Sequence, residues 1–332
     1  MTTRERFQRL MRFEPVDRLP VVEWAVWWNQ TVERWVREGL PPRESERYAM
    51  YRHFGLDMYR QDWFRACAPG CPGPAAHGAG IVKDDAGYTA LLPFLYPAAA
   101  LDEGRWRHWA VEQAAGESVL WVTFEGFFWF PRTLLGIEPH LYSFYDQPDL
   151  VHRINRDTLA WSLRLLDRVC RLAPPDFLTL AEDMSYNHGP MLSEAQFNEF
   201  LLPYYLEFTR RAHEHGIYVF VDSDGDVSTM IPWLQRAGTD GILPLERQAG
   251  VDVAALRRLR PDLRLLGAFD KMVMTRGAAA IAAEFERLLP VARQGGFIPA
   301  MDHQTPPGVS YRQFQDYVAL YHEFAVRAAQ PE

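Results

Sequence analysis

The sequence predicts a (β/α)8 TIM barrel with an N-terminal helix and an irregular hairpin-and-lid insertion, on three observations. From residue 118 onward, short apolar runs alternate with amphipathic helical stretches in five successive β-then-α units, the pattern of a parallel sheet with right-handed crossovers. Counting LPVVEW, one strand within 55–63 and the six runs that begin with SVLWVTFEGF gives eight strands. No G-x-G-x-x-G follows any of them, which removes the usual argument for an open dinucleotide-binding sheet and for a nucleotide cofactor.

Composition bounds the class. The 332 residues are 48% hydrophobic and 23% charged, ordinary for a globular chain with a large core. One barrel domain over 1–332, with 64–113 as an insertion or lid, accommodates that length. A net charge of −8 without any basic block argues against nucleic acid or an anionic membrane surface as partner. No apolar run reaches the length of a membrane span, and MTTRERFQRLMRF is charged where a signal peptide is apolar, so the expected location is the cytoplasm. Cys67, Cys71 and Cys170 are too few and too uneven for a disulfide framework. The oligomeric state is left open, a homodimer being compatible with the chain.

The elements follow in order. TTRERFQRLMRF reads as a helix capped by Thr2 or Thr3, with Phe7, Leu10 and Met11 at helical spacing. LPVVEW reads as a strand ending at Glu23, and TVERWVREG as a helix. LDMYRQDWF and GYTALLPFLY read as strands around the Gly/Pro/Ala loop CAPGCPGPAAHGAG. Cys67, Cys71 and His77 in that loop lack a recognised zinc spacing and a fourth ligand. SVLWVTFEGF is a strand ending at Glu125, and the stretch from Asp146 is a long amphipathic helix opened by an Asp-x-Pro-Asp signal. FLTLAED is a strand, and SEAQFNEFLLPYYLEFTRRAHEHG is one helix from Ser193 to Gly216. The strands YVFVDSDG, DGILPLE, LRLLGAFDK and GFIPAMDH each precede a helix.

In a parallel barrel the C-terminal ends of all strands meet at one mouth, where such enzymes place their chemistry. Here those ends carry Glu23, Glu125, Glu182 with Asp183, Asp222 with Asp224, Glu246, Asp270 with Lys271, and Asp302 with His303. Turn and cap chemistry explains any one of these acids, but not the set, because clustered carboxylates raise one another's pKa unless a cation offsets them. In VFVDSDGDV the alternate acids leave a strand on one side. It is no calcium loop, since Val227 follows Asp226 where Gly is needed and Trp233 stands where Glu is needed. Asp222, Asp224 and His303 make an oxygen-rich set suited to zinc or a harder divalent ion, and His303 beside Asp302 is the natural acid–base group. Trp24 and Trp27 are placed as walls of a substrate pocket, with a core role as the alternative, and Tyr186 and His188 as loop residues within reach of it.

The runs AEDMSYNHGPMLSEAQFNEFLLPYY, GIYVFVDSDGDVSTMIPWLQRAGTDGILPLE, LLGAFDK and GGFIPAMDHQTPPGVSY, with the opening TTRERFQRLMRFEPVDRLPV, resemble the uroporphyrinogen decarboxylase superfamily. The resemblance implies a (β/α)8 barrel and one of two chemistries. True decarboxylases of the family use a Met-Arg-Gln-Ala-Gly-Arg segment whose arginines grip tetrapyrrole carboxylates; here that region is VVEWAVWWNQ, without them. The other branch comprises zinc-dependent methyltransferases that act with methyl-corrinoid proteins through His-x-Cys and a later Cys. Asp222 and Asp224 stand at the His and Cys positions and His303 at the later Cys, so hard ligands replace soft ones. By motif Asp226 matches no ligand and reads as a turn or cap.

The expectation is a barrel enzyme performing metal-assisted methyl transfer with a corrinoid carried by a partner protein or with a small nucleophile. Asp222, Asp224 and His303 hold the metal or nucleophile, with Glu182, Asp183 and Glu246 nearby and Lys271 as neutralising cation or acid. The alternative is a cofactor-free decarboxylase with His303 as proton donor, and a third reading is a non-catalytic binding protein on the same barrel.

Overall fold

Seven strands alternate with helices in the computed structural model, which describes residues 1–330: β1 (Met58–Phe64), β2 (Ser118–Glu125), β3 (Phe177–Ala181), β4 (Tyr218–Asp222), β5 (Gly241–Leu243), β6 (Arg264–Leu266) and β7 (Phe297–Ile298). Two units divide the chain. One holds residues 1–60, 112–119 and the chain from Gly241, and the other holds 61–111 and 120–240.

The second unit holds β1 from Gln61, β2 from Leu120, β3 and β4, in the sheet order β1-β2-β3-β4. β2 and β3 are parallel, with Glu125 opposite Ala181, and β3 and β4 are parallel, with Ala181 opposite Asp222. Every residue of β2 and β3 is buried, as a parallel sheet covered by helices on its faces requires. The helix Pro148–Leu172 buries Leu150, Val151, Ile154, Leu159, Leu165 and Val169 along one side, the stripe that its helical period supplies. In the first unit β5-β6-β7 are parallel neighbours, and the helices Ala278–Ala292 and Tyr311–Ala328 pack Phe285 against Tyr317, Tyr321 and Phe324.

Three readings are corrected. LPVVEW runs extended but is no strand, because its polar backbone atoms are bound outside any ladder. Leu19 N–H donates to Ala325 C=O (2.9 Å), and Val21 exchanges bonds with the carboxylate and the N–H of Asp57 (2.8 Å each). The hydroxyls of Tyr321 and Tyr51 donate to the carbonyls of Pro20 and Glu23. Asp57, paired with Arg18 at 2.7 Å and with Arg6, thus takes the place of a neighbouring strand. Among the described residues there are therefore seven strands in the parallel pattern rather than eight.

GYTALLPFLY is helical rather than extended, and the insertion is not a hairpin. The Asp84 side chain caps a helix over Asp85–Leu91 by accepting the Gly87 N–H at 2.8 Å. Tyr88, Leu91 and Leu95 are the residues buried, and that spacing belongs to a helix. The stretch from Ser193 is not one regular helix either. It contains a π turn at Phe197–Leu201 ahead of the helix Leu202–Glu214, where Pro203 has no N–H to continue the α ladder.

Candidate active site

The second unit gathers acids where β3 and β4 end. Glu182 is fully buried, and its two oxygens accept four hydrogen bonds: from the backbone N–H of Phe127 (2.9 Å), Phe128 (2.7 Å) and Trp129 (3.0 Å), and from Tyr205 OH (2.6 Å). Those amides open the helix Trp129–Leu135, so Glu182 satisfies donors that no earlier turn can reach. Gly126 is required there, since a Cβ would lie 2.1 Å from the Glu182 carboxyl carbon. Burial raises the Glu182 pKa, and Tyr205 and the three amides work against that. Glu182 is thus an anchor with its acceptor sites filled.

Asp183 and Asp222 follow it closely. The backbone N–H groups of Glu182 and Asp183 donate to the Asp222 carbonyl (2.8 and 3.3 Å). Asp183 adopts a left-handed φ of 41°, an uncommon conformation for a residue with a side chain. Burial, then the charges of Asp183 and Asp224, raise the Asp222 pKa well above the carboxylate range. Arg132 faces this group, donating to the Asp183 carbonyl at 2.9 Å and lying 4.5 Å from the Trp129 ring centre. Sequence reasoning missed Arg132; the available signal was its place directly after the strand and turn that end in Glu125.

The DSDGD loop is pinned by a two-stranded ribbon, Ser185–Tyr186 with Gly189–Pro190. Ser185 Oγ donates to the Asp224 carbonyl (2.5 Å), and Ser223 Oγ accepts the Met184 N–H (3.1 Å). Gly225, at φ 85°, passes so close to the Tyr186 backbone that a Cβ would lie 2.6 Å from it. Asp226 accepts the Ser228 N–H at 3.0 Å, which is turn chemistry. Tyr186 and His188 sit exposed on the ribbon with their rings edge to face. Glu125 is turned to the Ala66 N–H (2.8 Å) and the Arg65 guanidinium (3.5 Å).

The first unit gathers a second constellation. Asp302 is fully buried and accepts from the Arg247 N–H (2.9 Å), the Lys271 N–H (3.3 Å) and Lys271 Nζ (3.2 Å). Lys271 Nζ also donates to Gln248 (2.7 Å) and lies 3.8 Å from Glu246. A Glu246 carboxylate oxygen and a His303 ring nitrogen come within 4.8 Å of one another. Burial raises the Asp302 pKa against the opposing charge of Lys271. Asp270 instead caps the turn that follows it, accepting from the Met272 N–H (2.8 Å) and from Gln248 (2.6 Å).

Glu23 and Trp24 approach the same loop from the N-terminal segment. Glu23 is 2% exposed and accepts from Tyr317 OH (2.5 Å) and the Met301 N–H (3.3 Å). Trp24 Nε1 donates to the Met301 carbonyl (2.7 Å), and its ring is edge-on to His303 at 6.2 Å. Trp27 packs instead among Trp35, Tyr51 and Phe314 in the core, the alternative held open for it from sequence. Burial pushes the Glu23 pKa up to about 8, from an ordinary value near 4.5 in the unfolded chain. An acid whose pKa rises on folding stabilises the fold fully below the unfolded value and loses that contribution as pH rises through the folded value. Glu23→Gln is therefore expected to gain on the parent chain between pH 5 and pH 8, by on the order of 3 kcal/mol in urea unfolding free energy. Parallel pH profiles for the two proteins would contradict it.

The cysteines lie elsewhere. Cys67 and Cys71 are half-buried neighbours in the 65–84 loop, and Cys170 is half-buried on the helix Pro148–Leu172. Among the described residues no helix is long and apolar enough to cross a membrane.

Comparison with known proteins gives a family and a fold. The family described as Uroporphyrinogen decarboxylase (URO-D) matches residues 132–324. No curated protein sequence matches. Among solved structures, a methyltransferase from Methanosarcina mazei superposes with a TM-score of 0.70 at 17% identity, covering 98% of this chain and 99% of that one.

Proposed function

Because the chain belongs to the uroporphyrinogen decarboxylase family, we propose that it is a barrel enzyme of group transfer. It moves a methyl group to or from a corrinoid carried by a partner protein, or to a small nucleophile, with a divalent metal assisting. The carrying observation is the Lys271–Asp302 pair with Glu246 and His303 beside it. This places a fixed cation, a buried acid and an imidazole around one point of the first unit, the residue types that general acid–base work and metal ligation require.

The region that grips tetrapyrrole carboxylates in the family's true decarboxylases carries no arginine here. Its Val21, Val22 and Glu23 are buried, and an acidic site is a poor receptor for a polyanion. A solved structure of the same fold is described as a methyltransferase, which supports methyl transfer over tetrapyrrole decarboxylation.

The donor set fits a divalent ion of borderline or hard character. Carboxylate oxygens and an imidazole nitrogen suit zinc, manganese or ferrous iron, and the three cysteines belong to the 65–84 loop and the helix Pro148–Leu172. Within the first unit His303 and Glu246 are the ligands proposed, whereas Asp222 and Asp224, the other positions the family resemblance points to, belong to the second unit. Such an ion supplies Lewis-acid polarisation of the group that accepts or releases the methyl. The chain's own residues do the rest: Lys271 opposes the burial that raises the Asp302 pKa, Glu246 orients His303, and Arg132 offsets the charge of Asp183.

A second reading, cofactor-free decarboxylation of a small carboxylic acid, draws support from the buried acids, since Asp302 and Glu23 hold protons above the ordinary carboxylate range. In that reading His303 protonates the carbanion equivalent. Metal analysis of the purified protein separates the two. About one equivalent of divalent metal, lost in His303→Ala, with chelator-sensitive demethylation of methylcobalamin, is the expected result. Less than about a tenth of an equivalent, with carbon dioxide released from small acids in the absence of any corrinoid, overturns methyl transfer in favour of the lyase. An Asp224→Asn variant that keeps its full biological effect overturns both and leaves a binding protein.

A further inference from the structure

We infer that Glu23 and Trp24 are positioning residues that seat the His303 imidazole by gripping both peptide groups of Met301, and that the Glu23 carboxyl is not a substrate contact. The inference rests on the reading above that His303 acts in the reaction.

Two consecutive residues hold one backbone unit from opposite ends. The Glu23 carboxyl accepts the Met301 N–H at 3.3 Å, and the Trp24 indole donates to the Met301 carbonyl at 2.7 Å. Met301 is fully buried, so these groups have no water to fall back on. The neighbouring backbone is tied as firmly. Phe269 and Met301 form a parallel bridge, and the Asp302 N–H donates to the Phe269 carbonyl at 2.9 Å. Thr305 Oγ1 donates to Met301 Sδ, and Thr31 Oγ1 to the Thr305 carbonyl. His303 therefore sits on a short span between two anchored points, with the Trp24 ring nearly perpendicular to its own and 6.2 Å away between ring centres.

The clamp is itself braced. Glu23 is held from the other side by Tyr317 OH at 2.5 Å, and its carbonyl accepts from Tyr51 OH. The Trp24 carbonyl accepts from Arg47 at 3.3 Å. At 2% exposure the Glu23 carboxyl cannot meet a substrate, so its effect on chemistry passes through Met301. This accounts for an acid kept in the core where an apolar residue of like volume would spare the desolvation cost.

The experiment uses the full chain with ring-13C histidine. The chain has ten histidines, and the His303 signal is assigned by its loss in His303→Gln. Trp24→Phe keeps an aromatic ring beside His303 and removes the indole donor. It is expected to shift and broaden the His303 resonance, leave the other nine in place, and lower methyl-transfer kcat roughly 10- to 100-fold with KM unchanged. Glu23→Gln keeps an acceptor for the Met301 N–H and is expected to retain the parent signal, whereas Glu23→Leu reproduces the Trp24→Phe change. A His303 resonance unmoved in both Trp24→Phe and Glu23→Leu, or moved equally in Glu23→Gln, overturns the positioning role. If the resonance moves as expected but His303→Ala retains full activity, the clamp stands and the functional reading falls.

Discussion

Replacing Glu182 by alanine is expected to cost about 4 kcal/mol of unfolding free energy. The carboxyl accepts from three backbone amides and Tyr205 OH, and all of these donors are left without an acceptor when it is removed. Each unsatisfied buried donor costs roughly 1–3 kcal/mol, and bonds to a charged partner lie at the upper end. The cavity above Gly126 adds to the loss. Glu182→Gln keeps one acceptor oxygen and brings a competing donor, so it should fall between the two. Urea denaturation followed by circular dichroism measures both. A loss below about 1 kcal/mol in Glu182→Ala would show that water replaces the carboxyl at the helix start.

Asp302→Ala should remove both activity and stability, and Asp302→Asn should separate them. In the parent chain Asp302 is fully buried and neutralises Lys271 while accepting two backbone amides. Truncation leaves Lys271 largely enclosed without its nearest countercharge, a change that costs roughly 3–5 kcal/mol. Asparagine keeps the shape and one acceptor but not the charge. Its expected signature is a stability loss of about 1–2 kcal/mol with activity reduced roughly 100-fold or more. Equal activity in Asp302→Asn and the parent chain would mean that Asp302 is an anchor like Glu182 and takes no part in the chemistry.

These two acids show why one pattern of strand-end carboxylates resolves into different roles. Glu182, Glu125 and Asp270 each meet backbone amides at the start of a helix or loop, the work that capping chemistry assigns to such residues. Asp222 and Asp302 instead lie against other charges, Asp222 near Asp183 and Asp224, and Asp302 against Lys271. Nothing in the letters separates the two groups, because the difference is in which donors the following turn happens to aim back at the carboxyl. Arg132 was passed over for the same reason: an arginine on a helix is usually a solvated charge, and its placement over Trp129 and beside Asp183 depends on how the chain turns after Glu125.

The sequence by itself determined the family, the alternation of strand and helix from residue 118 onward, and the identity of Asp226 as a turn residue. These are local or periodic properties: a run of apolar residues, a 3.6-residue stripe, an acid followed by its own amide two residues on. Only the tertiary structure decided that LPVVEW is no strand, that Trp27 belongs to the core, and that Glu23 with Trp24 holds Met301 from 278 and 277 residues away. In each of these the deciding partner is distant in the chain. Asp57 supplies the hydrogen bonds that a neighbouring strand would have made, and a side chain satisfies a backbone group as well as a strand does, leaving no period in the sequence to announce it.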